Sequence, residues 1–214
     1  MLPGLQTPPV VKNLLIANCV VYLAMMLIPS VNHFCGEYLQ LWWSNHPYAP
    51  QFHSYQFVTY MFLHGSGYHL FSNMFALWMF GRTLEYELGS QRFLTYYLVC
   101  GVGAAIIQIA IASLLGESLA LVGASGAVFG LLLAFGLMHP NNQIYIIPFP
   151  FPIKAKWFVV GYAVLEIALG WSGAETGIAH FAHVGGMLWG LVLLLLWRKQ
   201  RKIFFTRSFT IHEF

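Results

Sequence analysis

Six apolar stretches, separated by polar or Pro- and Gly-containing breaks, organise the chain: Asn13–Ile28, His69–Leu84, Phe93–Leu115, Gly126–Met138, Trp157–Trp171 and His180–Trp197. Read as helices, they predict an all-α membrane protein of six transmembrane helices. Several fall short of the ~20 residues that a full span needs. The fourth is the shortest, and Pro140-Asn141-Asn142 stops it. No repeat or low-complexity linker interrupts the series, so residues 1–214 read as one membrane domain. Within it, 1–12 form an N-terminal segment, 31–55 a long first loop and 198–214 a basic tail. The first loop carries Phe34, Trp42, Trp43, Tyr48 and Phe52. Trp and Tyr favour the membrane interface, so the loop either lies in the headgroup layer or is an ordinary outer loop.

Composition supports the membrane reading. The chain is 58% hydrophobic and only 8% charged, whereas a soluble domain averages about 25% charged residues. With so few charges, lipid rather than water has to cover the surface. The net charge of +3 leaves no nucleic-acid footprint. Cys19, Cys35 and Cys100 are scattered, two of them in apolar runs, which speaks against a disulfide framework. Lys12 precedes an apolar run that reaches Pro29-Ser30 without a small-x-small cleavage site, so this run reads as a retained helix.

Orientation follows from the cations. Lys12, Arg82, Arg92, Lys154, Lys156, Arg198, Lys199, Arg201, Lys202 and Arg207 all fall before the first stretch, at the end of the second or between it and the third, between the fourth and fifth, or after the sixth. The positive-inside rule puts both termini in the cytoplasm. The first loop then faces outward, and Cys35 in it is expected to react with an impermeant thiol reagent.

The candidate chemistry sits at helix ends. The sequence contains no aspartate, which excludes a Ser-His-Asp triad and an aspartyl dyad. Gly123-Ala124-Ser125-Gly126 opens the fourth stretch. A helix over 126–139 rises about 21 Å at ~1.5 Å per residue, against a hydrocarbon core about 30 Å thick. With its Pro140 end at the cytoplasmic boundary, Ser125 lies roughly 10 Å below the outer surface. A helix that starts inside the membrane leaves orphan N–H groups, tolerated only where they line a cavity, and such an end favours an anion. A serine nucleophile needs a base. His183 shares one face of the sixth stretch with Gly186 and Gly190, and Gly126 and Gly130 share one face of the fourth. Small-residue faces let backbones approach closely, which would bring His183 toward Ser125. The glycines alone read equally well as packing motifs, but an ionisable residue in a membrane helix is functional by default. In the second stretch His69 and Asn73, at i and i+4, can face one cavity as neutral hydrogen-bond donors; helix-to-helix bonding is the plainer alternative. His64 reads as structural, Glu85 and Gly89 as a cap or loop pair, and Glu166 as a structural hydrogen-bonding group.

In combination and order these motifs resemble the rhomboid family. His64…His69-x-x-x-Asn73, Glu85-x-x-x-Gly89, Gly123-x-Ser125-Gly126 and Ala182-His183-x-x-Gly186-x-x-x-Gly190 carry the likeness, from about Tyr55 to Trp197. The resemblance implies a rhomboid-like bundle with a short fourth helix starting inside the membrane. It implies a catalytic Ser125–His183 dyad, an oxyanion hole from His69, Asn73 and the Ser125 N–H, and cleavage of single-span membrane proteins near the outer face without a cofactor. Two positions depart from the family pattern. Tyr55-Gln56 stands where many members have Trp-Arg, and Phe129 stands where many have a tyrosine against which the histidine packs.

Two other classes compete. A rhomboid-like binder of membrane helices would not need the intact Ser125, His183, His69 and Asn73. A metal or haem site is suggested by nine histidines and His180-x-x-His183, but there is no HExxH and no cysteine pair, and no carboxylate is expected near His180. The expected partners are single-span membrane proteins and the lipid bilayer, with no metal, and the expected location is a bacterial inner membrane. Oligomeric state is not readable from the sequence.

Overall fold

The computed structural model describes residues 6–43, 50–145, 151–172 and 179–200. Tyr48, Glu175 and the tail from residue 201 onward lie outside them. Helix α1, Pro9–Leu27, starts before the expected Asn13. Pro9 occupies its first turn, where a missing N–H leaves nothing unpaired. The Glu85 carboxylate accepts the next two N–H groups, Val10 at 2.9 Å and Val11 at 2.7 Å. Ser90 Oγ donates to the same carboxylate at 2.7 Å. Glu85, expected in a cap or loop role beside Gly89, thus accepts the N-terminal N–H groups of a helix distant in sequence.

The described part of the first loop holds regular structure. It contains α2 (Pro29–Phe34), a π-helical turn (Cys35–Leu39) and strand β1 (Leu41–Trp43). Gln56, fully buried, ties it together. Its side-chain amide donates to the Tyr38 carbonyl at 3.1 Å and accepts the His53 N–H at 3.2 Å. Tyr55 is exposed and stacks on His53. Cys35, expected to react with an impermeant thiol reagent, is buried, and burial pushes its thiol upward from the ordinary range, which slows that reaction.

Helix α3 (Gln56–Thr59) and a 3-10 turn (Tyr60–Phe62) lead to α4 (Gly67–Ala76), a π-helical turn (Leu77–Gly81) and α5 (Arg82–Leu88). Ser66 caps α4 by accepting the His69 N–H at 3.1 Å. Helix α6 (Ser90–Leu115) ends at Gly116, whose φ of 71° is the usual left-handed helix stop. Strand β2 (Leu119–Leu121) pairs antiparallel with β1, Leu41 facing Leu121. Helix α7 (Ser125–Met138) follows, then a small ribbon of β3 (Gln143–Ile144) and β4 (Ile153–Lys154), then α8 (Ala155–Trp171) and α9 (His180–Gln200).

The protein is an all-α membrane protein, and among the described residues only these two short ribbons are not helical or loop. Among the described residues three helices are long and apolar enough to cross a membrane: Pro9–Leu27, Ser90–Leu115 and His180–Arg198. Helix α7 is apolar but shorter. Lipid tails are as apolar as the helices, so association depends on close fit. Glycine supplies that fit between α6, α7 and α9. A Cβ on Gly126 would collide with Ala104, one on Gly186 with the Gly126 carbonyl, and one on Gly190 with the Tyr96 hydroxyl. Tyr96 in turn donates to the Gly130 carbonyl at 2.9 Å.

Candidate active site

The turn before α7 is set by Gly123. Its φ of 115° suits only glycine, and its N–H donates to the Tyr60 carbonyl at 2.9 Å. It also lies against the His69 ring: a Cβ there would stand 2.6 Å from His69 Nε2. Ser125 is then the first residue of α7, half-buried, next to N–H groups that have no acceptor within their own helix.

Across the glycine faces stands His183 on α9. Its Nε2 is 2.9 Å from Ser125 Oγ. Phe129 stacks on its ring, centroids 4.1 Å apart and planes within 9°. Phenylalanine therefore provides the aromatic face at the position where a tyrosine is common. The second imidazole nitrogen, Nδ1, meets Glu166 Oε2 at 2.9 Å, and the same oxygen meets His180 Nδ1 at 2.7 Å. All three residues are buried.

Two expectations change at this point. A carboxylate does lie beside His180, because α8 and α9 pack with Glu166 turned inward. And Glu166 is bonded directly to His183 instead of only bracing helices. The one signal for it in the sequence was a lone carboxylate in an apolar stretch, which has to be paired inside a membrane.

The second stretch contributes unevenly. His69 reaches the Gly123 turn. His64 is buried edge-to-face against His69, centroids 5.0 Å apart. Burial and the neighbouring His69 push its imidazole down to about 4, so it stays neutral at ordinary pH. Asn73 is buried, and its amide donates to the His69 carbonyl at 2.8 Å, a bond within α4. Glu85 lies away from this cluster, at the start of α1.

A family model described as Rhomboid domain matches residues 51–200. The chain belongs to the rhomboid family. It is 32% identical over 140 residues to "Rhomboid protein 1, mitochondrial" of Saccharomyces cerevisiae, covering 61% of this chain and 38% of that protein. It is 32% identical over 166 residues to "Rhomboid-like protein 11, chloroplastic" of Arabidopsis thaliana, covering 68% of this chain and 53% of that one. A longer match, 26% over 202 residues, joins it to "Presenilin-associated rhomboid-like protein, mitochondrial" of Rattus norvegicus, covering 90% of this chain and 51% of that one. The chain thus spans between 38% and 53% of the length of these relatives. The matched region contains every residue of the Ser125 cluster and begins after α1 and most of the first loop.

Proposed function

We propose that this rhomboid-family chain is an intramembrane serine endopeptidase that cleaves single-span membrane proteins near the outer face of the bilayer. The observation that carries the proposal is the 2.9 Å contact between Ser125 Oγ and His183 Nε2 at the start of α7. In this reading Ser125 Oγ attacks the scissile carbonyl carbon while its proton passes to His183 Nε2. His183 then protonates the leaving amine as the peptide C–N bond breaks. Water, deprotonated by the same nitrogen, hydrolyses the acyl ester and returns the hydroxyl to Ser125.

The oxyanion is held by the Ser125 N–H, His69 and Asn73. His69 is supported in that role by its contact with the Gly123 turn. Asn73 spends one amide proton on the His69 carbonyl and keeps its second for the oxyanion.

The proposal includes six spans, with α4 to α5, α7 and α8 as the three added to the long apolar helices, and both termini on the cytoplasmic side. The Lys and Arg distribution supports that orientation. The relatives' names place them in mitochondria or a chloroplast and lend no support to a bacterial inner membrane in particular.

The test is labelling by a serine-directed fluorophosphonate together with cleavage of a single-span reporter. Wild type is expected to label and cleave. Ser125→Ala is expected to do neither, and His183→Ala to cleave no reporter, with both variants folded. Cleavage by folded Ser125→Ala removes the proposal.

A further inference from the structure

Glu166 lies on α8 among residues that face outward: Val164, Leu165 and Ile167 are all exposed, yet Glu166 is 6% exposed. A carboxylate turned into a membrane protein's interior is costly unless its charge is compensated. Here the compensation is specific, since one oxygen, Oε2, takes both His180 Nδ1 and His183 Nδ1. We infer that Glu166 is a positioning carboxylate for the His183 base, and that His180 holds Glu166 in that place. The inference rests on the Ser125–His183 reading above and extends it to a four-residue chain, Ser125–His183–Glu166–His180.

The physical reason lies in the tautomer. An ionised carboxylate can only accept hydrogen bonds, so each imidazole must donate through Nδ1–H. With its one proton on Nδ1, neutral His183 presents a lone pair at Nε2, the atom facing Ser125 Oγ. The opposite tautomer would present N–H to the serine and could not take its proton. When His183 becomes an imidazolium during attack, the Glu166 charge is already beside it, held between buried side chains. His183 is then fixed on three sides: Ser125 at Nε2, Glu166 at Nδ1 and Phe129 on the ring face. Since the chain has no aspartate, only a glutamate could fill this place.

Glu166, His180 and His183 present potential metal-ligand atoms within 4.8 Å of one another. The spacing favours hydrogen bonds. Two ligands bound tetrahedrally to zinc at ~2.0–2.1 Å stand roughly 3.3 Å apart, whereas Oε2 is 2.7 and 2.9 Å from the two nitrogens.

The experiment compares wild type, Glu166→Gln, His180→Asn and Ser125→Ala in reporter cleavage by the full chain, with thermal unfolding as a folding check. Glu166→Gln is expected to lower kcat at least about 10²-fold with KM unchanged, because the group touches His183 and not the substrate. His180→Asn is expected to lower kcat less, again at constant KM. EDTA is expected to leave wild-type kcat unchanged. Wild-type kcat in folded Glu166→Gln overturns the inference and leaves the Ser125–His183 reading standing; cleavage by Ser125→Ala removes that reading itself. If Glu166→Gln does not fold, His180→Asn decides, and wild-type kcat there overturns the inference. Loss of activity in EDTA with recovery on adding Zn²⁺ also overturns it, in favour of a metal centre.

Discussion

Replacing Gly186 by alanine tests whether the glycine contact sets the distance between Ser125 and His183. A Cβ on Gly186 would stand 2.7 Å from the Gly126 carbonyl carbon and closer still to its oxygen. Non-bonded carbons rest about 3.5–4.0 Å apart, so α7 and α9 have to separate by about 1 Å. The obstacle is backbone, which cannot rotate away as a side chain can. Gly126 directly follows Ser125, and Gly186 lies about one turn beyond His183 on α9. The separation therefore passes to the 2.9 Å Ser125–His183 contact and takes it beyond hydrogen-bond range. A misplacement of about 1 Å costs on the order of 10²-fold in rate, and overpacking costs about 1–3 kcal/mol of stability. The assay is kcat on a single-span reporter in detergent, with thermal unfolding in parallel. Gly161→Ala is the control, because a Cβ there meets nothing within 4 Å; it is expected to leave the rate unchanged and to raise stability by about 0.5–1 kcal/mol, as alanine replaces glycine inside a helix. A folded Gly186→Ala protein with wild-type kcat refutes the argument.

Three further outcomes are expected. His69→Ala and Asn73→Ala should each slow reporter cleavage about 10²–10³-fold, the cost of losing one oxyanion donor, while fluorophosphonate still labels Ser125 slowly; wild-type turnover in both would reduce them to packing groups. Their combined loss should be less than additive, since both act on one charge. Glu85→Ala removes the acceptor of the Val10 and Val11 N–H groups and should lower stability by about 1.5–3 kcal/mol, read as a drop in Tm with unchanged kcat below the transition; an unaltered Tm means that α1 needs no such anchor. For orientation, buried Cys35 should label slowly, so the reporter is His33→Cys in a Cys35→Ser background, His33 having 81% of its side chain exposed. Labelling by an impermeant thiol reagent in intact cells is expected, and a requirement for permeabilisation reverses the assigned orientation.

The sequence alone determined the features that depend on local chemistry. The helical stretches follow from apolar runs and their stops, and each has a helix in the structure with ends shifted by a few residues. The ends moved where a distant group satisfied a terminus: α1 begins at Pro9 because Glu85 accepts its first free N–H groups. Ser125 at a helix start, and His183 on a glycine face, were legible because Gly123-Ala124-Ser125-Gly126 and His183-x-x-Gly186-x-x-x-Gly190 combine a reactive group with the small residues that permit close approach. Tertiary structure decided the rest. Helix α8 is apolar around most of its circumference, and its lone carboxylate says only that a partner has to be met; packing against α9 decides that the partners are His180 and His183. The pairing of β1 with β2 joins segments far apart in the chain, and no local pattern specifies such a register. Asn73 could have pointed wholly at the site by spacing, yet one of its amide protons bonds its own helix. Spacing places a residue on a face of a helix, but the neighbour that the face meets, and so the chemistry that a side chain can perform, depends on how the helices pack.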